Sequence, residues 1–258
     1  MMSTSTPSRT QAERADQTRA RILDAAVREF SENGLAGART EQIAEAAGVN
    51  KALLYYYFKG KDALYAAALD SIAEGVRAAS LAVLDAEASA GERFVRATLE
   101  HFDRIHTNWR FQSLMQQEMV RLHRGESDAM TPLVEKVFRP LTARTQQVLD
   151  EGIASGELIA TDSSQIRSSA LGANVLHFLS APLMRMVTGI DPLERDELEK
   201  RRKITVEFLG QSIFRDRQHG AEVARRVLKT TPMPKDGGIR PRVTPQEGAA
   251  KTEKARHE

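Results

Sequence analysis

Residues 48–61 read GVNKALLYYYFKGK: three consecutive tyrosines between apolar residues and lysines, directly after a Gly-Val-Asn break. A tyrosine is costly to expose without a use, and its hydroxyl needs a partner when buried. With Asn50 as N-cap, a short helix runs to about Phe58, and Val49 and Leu54 fall at the two positions of a hydrophobic staple. At about 100° per residue, Leu54 and Phe58 share the inward face. Ala52, Leu53 and Tyr56 point roughly the opposite way, with Tyr55 and Tyr57 on the flanks. The outward face is therefore apolar and aromatic, an odd surface to offer to water.

Upstream, a second short helix starts at Thr40, a good N-cap, buries Ile43, Ala44 and Ala47 and ends at Gly48. Two short helices joined by a three-residue turn containing glycine form a helix-turn-helix pattern. Small apolar groups on the second helix suit thymine methyls in a major groove, and flanking hydroxyls suit phosphate oxygens. Residues 46–61 carry Lys51, Lys59 and Lys61 and no acidic residue. Lys61 lies near the start of the next helix, whose free N–H groups favour a phosphate. The spacing by itself leaves a second reading open, since tyrosines at a helix end also settle between core and solvent.

The rest of the chain predicts helices throughout. A first helix carries Ile22, Leu23, Ala26, Val27 and Phe30 on one stripe and stops at Gly34. A long fourth helix begins near Asp62. Further helices follow around Phe94–Ile105 and Leu114–Leu122, and another opens at "TPLVEKVF" with Thr131 as cap, where Pro140 should kink it. "DSSQI" and "DPLE" open the last two long helices, with Asp162 and Asp191 as caps. The expected organisation is all-α, with residues 1–17 a flexible arm, 18–64 a three-helix unit, 65–228 a larger helical bundle and 229–258 a disordered tail.

Composition sets limits on function. Of 258 residues, 41% are hydrophobic and 28% charged, as in ordinary globular chains. The net charge of +2 is too small to argue for nucleic acid, so that argument rests on local distribution. The absence of cysteine removes disulfides and thiolate chemistry and suits a reducing cytoplasm. The polar N-terminus lacks an apolar signal core, and the uncharged run 168–184 is shorter than the ~20 apolar residues of a membrane span. No membrane association is expected.

The stretch 40–64, TEQIAEAAGVNKALLYYYFKGKDAL, closely resembles the DNA-binding motif of TetR-type transcriptional regulators. The matching positions are Thr40, Ile43, Ala44, Ala47, Gly48, Val49, Leu54, Tyr55, Tyr57, Phe58, Lys61 and Leu64, and the upstream RILDAAVREFSENGLAGA resembles the family's first helix. The likeness covers about the first quarter of the chain. It implies an N-terminal helix-turn-helix DNA-binding domain followed by a C-terminal bundle for dimerisation and ligand binding. Thr40, Tyr55, Tyr57 and Lys61 would hold phosphates; Lys51, Ala52, Leu53 and Tyr56 would face bases. Asn50 replaces the family's usual serine cap, Ala52 stands where glycine is frequent, and Leu53 stands where a smaller residue is common.

The resemblance also implies a homodimer on palindromic double-stranded operator DNA, repressing by occupancy and released by a small-molecule effector. The family's dimer helices correspond to residues 163–187 and 192–217. There Ala170, Gly172 and Ala173 would allow close approach, and Ile204, Phe208, Leu209 and Ile213 would add apolar contact; packing within one subunit is the other reading. Candidate pocket residues are Phe102, His106, Trp109, Phe111, Met115, Met119, Phe138, Asn174, His177 and Phe178. Their character favours an apolar or aromatic effector. Asn174 and His177 could meet a ligand, a backbone group or the dimer partner. An alternative is a DNA-bound interaction protein that needs no effector.

An enzyme is not expected. His101 and His106 are five apart and do not share a helix face, and no His-Glu-x-x-His, P-loop, dinucleotide or serine-elbow motif is present. No metal or cofactor is called for.

Overall fold

The computed structural model describes residues 10–235. Eleven helices occupy them, with one isolated bridge between Leu158 and Phe214 and no strand among the described residues. The headpiece comprises α1 (Gln11–Gly37), α2 (Thr40–Ala46), α3 (Lys51–Tyr57) and the start of α4 (Lys61–Leu84). The bundle adds α5 (Ala90–Thr107), α6 (Trp109–His123), α7 (Met130–Leu133), α8 (Arg139–Ala154), α9 (Ser163–Thr188), α10 (Arg195–Ser212) and α11 (Arg217–Thr230). The all-α reading holds.

Several boundaries differ from expectation for local reasons. The expected arm at 1–17 is helical from Gln11, because Thr10 and Glu13 form a reciprocal capping box. The first turns of α1 are polar on every side, so they carry no stripe to read. Gly34 does interrupt the helix, with φ 69°. Residues 1–9 and 236–258 lie outside the described residues, including most of the expected tail; Lys229 and Thr230 still belong to α11. The expected division at 64/65 falls inside α4, and Tyr65 and Leu69 remain part of the headpiece core with Phe30, Leu54 and Leu64.

Thr40 is the first residue of α2 rather than its cap; Arg39 precedes it and donates its N–H to Glu29 Oε1. The helix expected to start at Thr131 starts at Met130 without a side-chain cap. Pro140 is the second residue of α8. A π turn at Val134–Phe138, in which the Arg139 N–H reaches back to Val134 O, places the missing proline donor where the ladder is already rearranged. Asp162 caps α9 as expected, accepting from the N–H groups of Ser164 and Gln165. Asp191 instead closes a turn, accepting from the Leu193 N–H, and α10 opens at Arg195.

The expectation about membrane length is corrected for α9. It is 26 residues long, and an 18-residue apolar window within it has a mean hydropathy of 1.2, enough to cross a membrane by length and composition alone. Only 22% of its apolar window is buried.

Helix α11 was not legible. Asp216 caps it through the N–H groups of Gln218 and His219, and Val223, Ala224 and Val227 are buried among arginines and lysines. It packs on α10 at a glycine crossing, where a Cβ on Gly220 would lie 1.9 Å from Gly210 O. No other residue fits that approach.

Candidate nucleic-acid interface and ligand cavity

Helix α3 sits on the headpiece as its pattern predicts. Asn50 Oδ1 accepts from the Leu53 N–H at 2.7 Å and closes the first turn. Leu54 and Phe58 are buried, whereas Lys51, Ala52, Leu53, Tyr55 and Tyr56 are exposed, Tyr56 at 81%. Tyr57 is half-buried and meets the Tyr56 ring edge-on, with centroids 5.6 Å apart. The tyrosines thus divide into an outward ring and two flanking ones.

Two contacts at this surface are tertiary and could not be read along the chain. Glu41 of α2 pairs with Lys51, and this pairing lowers the Glu41 carboxyl below its ordinary range and raises the Lys51 ammonium. The local absence of acidic residues in 46–61 therefore does not leave Lys51 unpaired. Thr40 is largely buried, with its hydroxyl 3.2 Å from the Tyr55 hydroxyl. Lys61 donates to Ala36 O at 3.0 Å, where α1 ends.

The bundle holds a partly open cavity of about 750 Å³ between α4, α5, α6, α8 and α9. That is a common size for a small-molecule site. Of the candidate pocket residues, Phe111, Met115, Met119 and Phe138 line it. Phe102, His106, Trp109, Asn174, His177 and Phe178 do not, and their placement as pocket residues is corrected. The reason is the angle around α5. Phe102 turns away from the cavity toward α9 and α10, where it stacks with His177 and Phe178 and packs near Leu198. Asn174 is fully buried; its Nδ2 donates to Thr98 O at 2.9 Å, so a backbone group answers its donor, while its Oδ1 is buried without a partner among the described residues. Trp109 meets the Arg110 guanidinium at 5.0 Å.

The polar residues that do line the cavity were missed. They include His101, Arg104, Asn108, Gln112 and Arg167. Burial, and then the neighbouring Arg104, depress the His101 imidazole to a pKa of about 3, so it is neutral. Asn174 Nδ2 lies 3.4 Å from His101 Nδ1. An amide nitrogen can only donate, which makes Nδ1 the acceptor and leaves the ring proton on Nε2. Arg104 is satisfied by Glu100 and by Ser80 Oγ at 2.7 Å.

Helix α6 has a second face against the headpiece. Ser113 Oγ donates to Ser31 O at 2.7 Å, and Gln117 Nε2 donates to the same carbonyl at 3.2 Å. Leu114 belongs to the headpiece core. Glu118 is fully buried, accepting from Tyr65 of α4, from Arg121 and from Ser127. Helix α6 therefore touches both the cavity and the headpiece.

At the expected dimer surface the residues separate. Leu209, Ile213 and Ala170 are buried within the subunit, which corrects their assignment to an intersubunit face. Ile204 and Phe208 are exposed, Phe208 at 65%, as is Gly172; Ala173 is half-buried. Leu176, Leu179, Leu183 and Val187 extend the exposed apolar face along α9.

Residues 22–68 match bacterial regulatory proteins of the tetR family, and residues 90–209 match the tetracyclin repressor-like C-terminal domain, together about two thirds of the chain. The HTH-type transcriptional repressor NicS of Pseudomonas putida is 46% identical over 61 residues, 24% of this chain and 29% of that protein. The chain thus matches under a third of that relative's length. A transcriptional regulator of Saccharomonospora viridis solved with choline aligns at a TM-score of 0.63 and 18% identity, over 78% of this chain and 100% of that one. FadR of Bacillus subtilis, solved with stearoyl-CoA, aligns at 0.56 and 21% identity, over 72% of this chain and 97% of that one. With a helix-turn-helix match in front and a matching helical domain behind it, the chain belongs to the TetR family of bacterial regulators, a non-enzymatic class.

Proposed function

We propose that this protein is a cytoplasmic transcriptional repressor that binds palindromic operator DNA as a homodimer and leaves it when a small molecule fills the bundle cavity. The observation that carries the DNA reading is the exposed face of α3, where Leu53 and Tyr56 project beside lysines from a well-packed headpiece. Apolar side chains in that position meet thymine methyls and base edges, while Tyr55, Tyr57, Thr40 and Lys61 reach backbone oxygens. The Thr40 and Tyr55 hydroxyls already support one another, so a phosphate would meet a preset pair.

A single headpiece reads too few base pairs for useful selectivity. Two would do so if a two-fold axis set their α3 helices about 34 Å apart. The face formed by Leu176, Leu179, Leu183, Ile204 and Phe208 supports that assembly, because exposed apolar patches of this extent mark interaction surfaces. The domain division we adopt is a headpiece through the first turns of α4 and a ligand-binding and dimerisation bundle beyond it.

Release follows from α6. A ligand against Phe111, Met115 or Met119 displaces a helix whose other face holds Ser31 and Tyr65. The effect requires different ligand affinity in the two arrangements. A cavity of this size favours an effector-responsive regulator over one whose bundle only contacts proteins. The apolar and aromatic lining suits an apolar or aromatic effector. Sequencing DNA fragments selected by the purified protein tests the reading: a palindrome is expected, and no enrichment at low ionic strength would overturn it.

A further inference from the structure

Arg167 differs from the other charged groups around the cavity. It lines the cavity from the second turn of α9, and its Nε is buried without a hydrogen-bond partner. No carboxylate lies on the cavity wall among the described residues, and the other arginine there, Arg104, is already neutralised by Glu100. The wall therefore carries one uncompensated positive charge in mostly apolar surroundings. Arg167 is half-buried, so water reaches part of the group, but its charge still draws an anion, and its planar fork suits a carboxylate held through two parallel bonds.

Its position along the cavity adds shape. Arg167, Leu171, Val175 and Leu179 recur every four residues and form one row down α9, about 18 Å long at 1.5 Å per residue. Asn174 bonds to Thr98, and Phe178 stacks on Phe102, so α9 and α5 run in step. Arg167, two turns before Asn174, is then level with the start of α5. Apolar walls lead from it toward Met115 and Met119 of α6. His101 is neutral and presents an N–H on the way, adding a donor without a second charge.

We propose that the cavity takes an elongated apolar molecule with a terminal carboxylate, its anionic end on Arg167 and its apolar body directed toward α6. The proposal rests on the effector reading of the cavity. A cationic ligand would meet the uncompensated Arg167 guanidinium and no carboxylate on the wall.

Calorimetric titration of the full-length dimer with decanoate, 1-decanol and decyltrimethylammonium tests this. Decanoate is expected to bind at least about tenfold more tightly than the other two, the usual scale of a charge-assisted contact. Arg167→Gln should remove that preference, lowering decanoate affinity by about tenfold or more while leaving decanol within about twofold. Arg167→Lys should restore part of it. Equal affinity for acid and alcohol, tightest binding of the ammonium probe, or no binding of decanoate to folded protein would each overturn the proposal; the wild-type comparison needs no variant. Decanoate that binds through Arg167 yet leaves the selected DNA fragment bound would support this ligand class and overturn the effector reading instead.

Discussion

The Tyr65 hydroxyl of α4 donates to the buried Glu118 carboxylate of α6 at 2.7 Å, tying the headpiece to the helix that walls the cavity. Burial, then the bond to Glu118, raises the Tyr65 phenol above its ordinary range, so it stays a donor at any physiological pH. Tyr65→Phe should cost about 1–2 kcal/mol by urea unfolding and leave a buried carboxylate one bond short. Glu118→Ala should cost more, about 3 kcal/mol, because Arg121 and Ser127 lose their acceptor as well. If the pair also carries the signal, Tyr65→Phe will weaken effector release of DNA more than it weakens effector binding.

The pH dependence follows from His101. An unfolded imidazole titrates near 6.5, and the folded one near 3. Between those values the unfolded chain binds a proton that the folded chain does not, so this group's contribution is complete above pH 6.5 and declines as pH falls toward 3. The slope is at most about 1.4 kcal/mol per pH unit. His101→Gln should flatten the acid side of the stability curve relative to wild type, as read by chemical unfolding at a series of pH values.

At the DNA surface two charges should act oppositely. Lys61→Ala should weaken binding to every sequence alike and reduce the salt dependence by about one counterion. Glu41→Gln frees Lys51 and should strengthen binding by roughly two- to fivefold at low salt, a modest gain because the pair is exposed. Leu53 replacements should instead change which bases are preferred. Fluorescence anisotropy over a salt series separates the three.

These outcomes show what local sequence can carry. The helix-turn-helix was legible because each part is set by near neighbours: Asn50 caps its own helix, and Leu54 and Phe58 repeat on one face. The Glu41–Lys51 pair was not, since it depends on how α2 crosses α3. In the bundle, a periodic apolar residue looks the same whether it faces core or cavity. Phe102 and His101 are adjacent in sequence yet serve α9 and α10 in one case and the cavity in the other. Leu209 and Ile204 likewise both fit the α10 pattern, but only the latter is left uncovered.

Subunit association is open to a direct measurement. Phe208→Glu or Leu176→Glu places a charge on the uncovered apolar face without touching the core. If the proposed assembly forms, sedimentation should report a dimer for wild type and a monomer for either variant at the same concentration, together with weaker operator binding.

The crossing of α10 and α11 should be equally sensitive. Gly220→Ala would drive a methyl into the Gly210 carbonyl, a backbone atom with no side-chain freedom to yield. A loss of about 2–3 kcal/mol is expected, with increased amide exchange confined first to α11.

The hollow in the bundle carries a consequence for evolution under heat. Bulkier substitutions on its walls, such as Ala97→Leu or Thr142→Leu, are the readiest route to a tougher scaffold, and they are also the ones that would take up the room of the proposed ligand. Filling the hollow and keeping it open to a ligand compete for the same space, so stabilising changes that preserve the cavity belong at helix caps and surface charges.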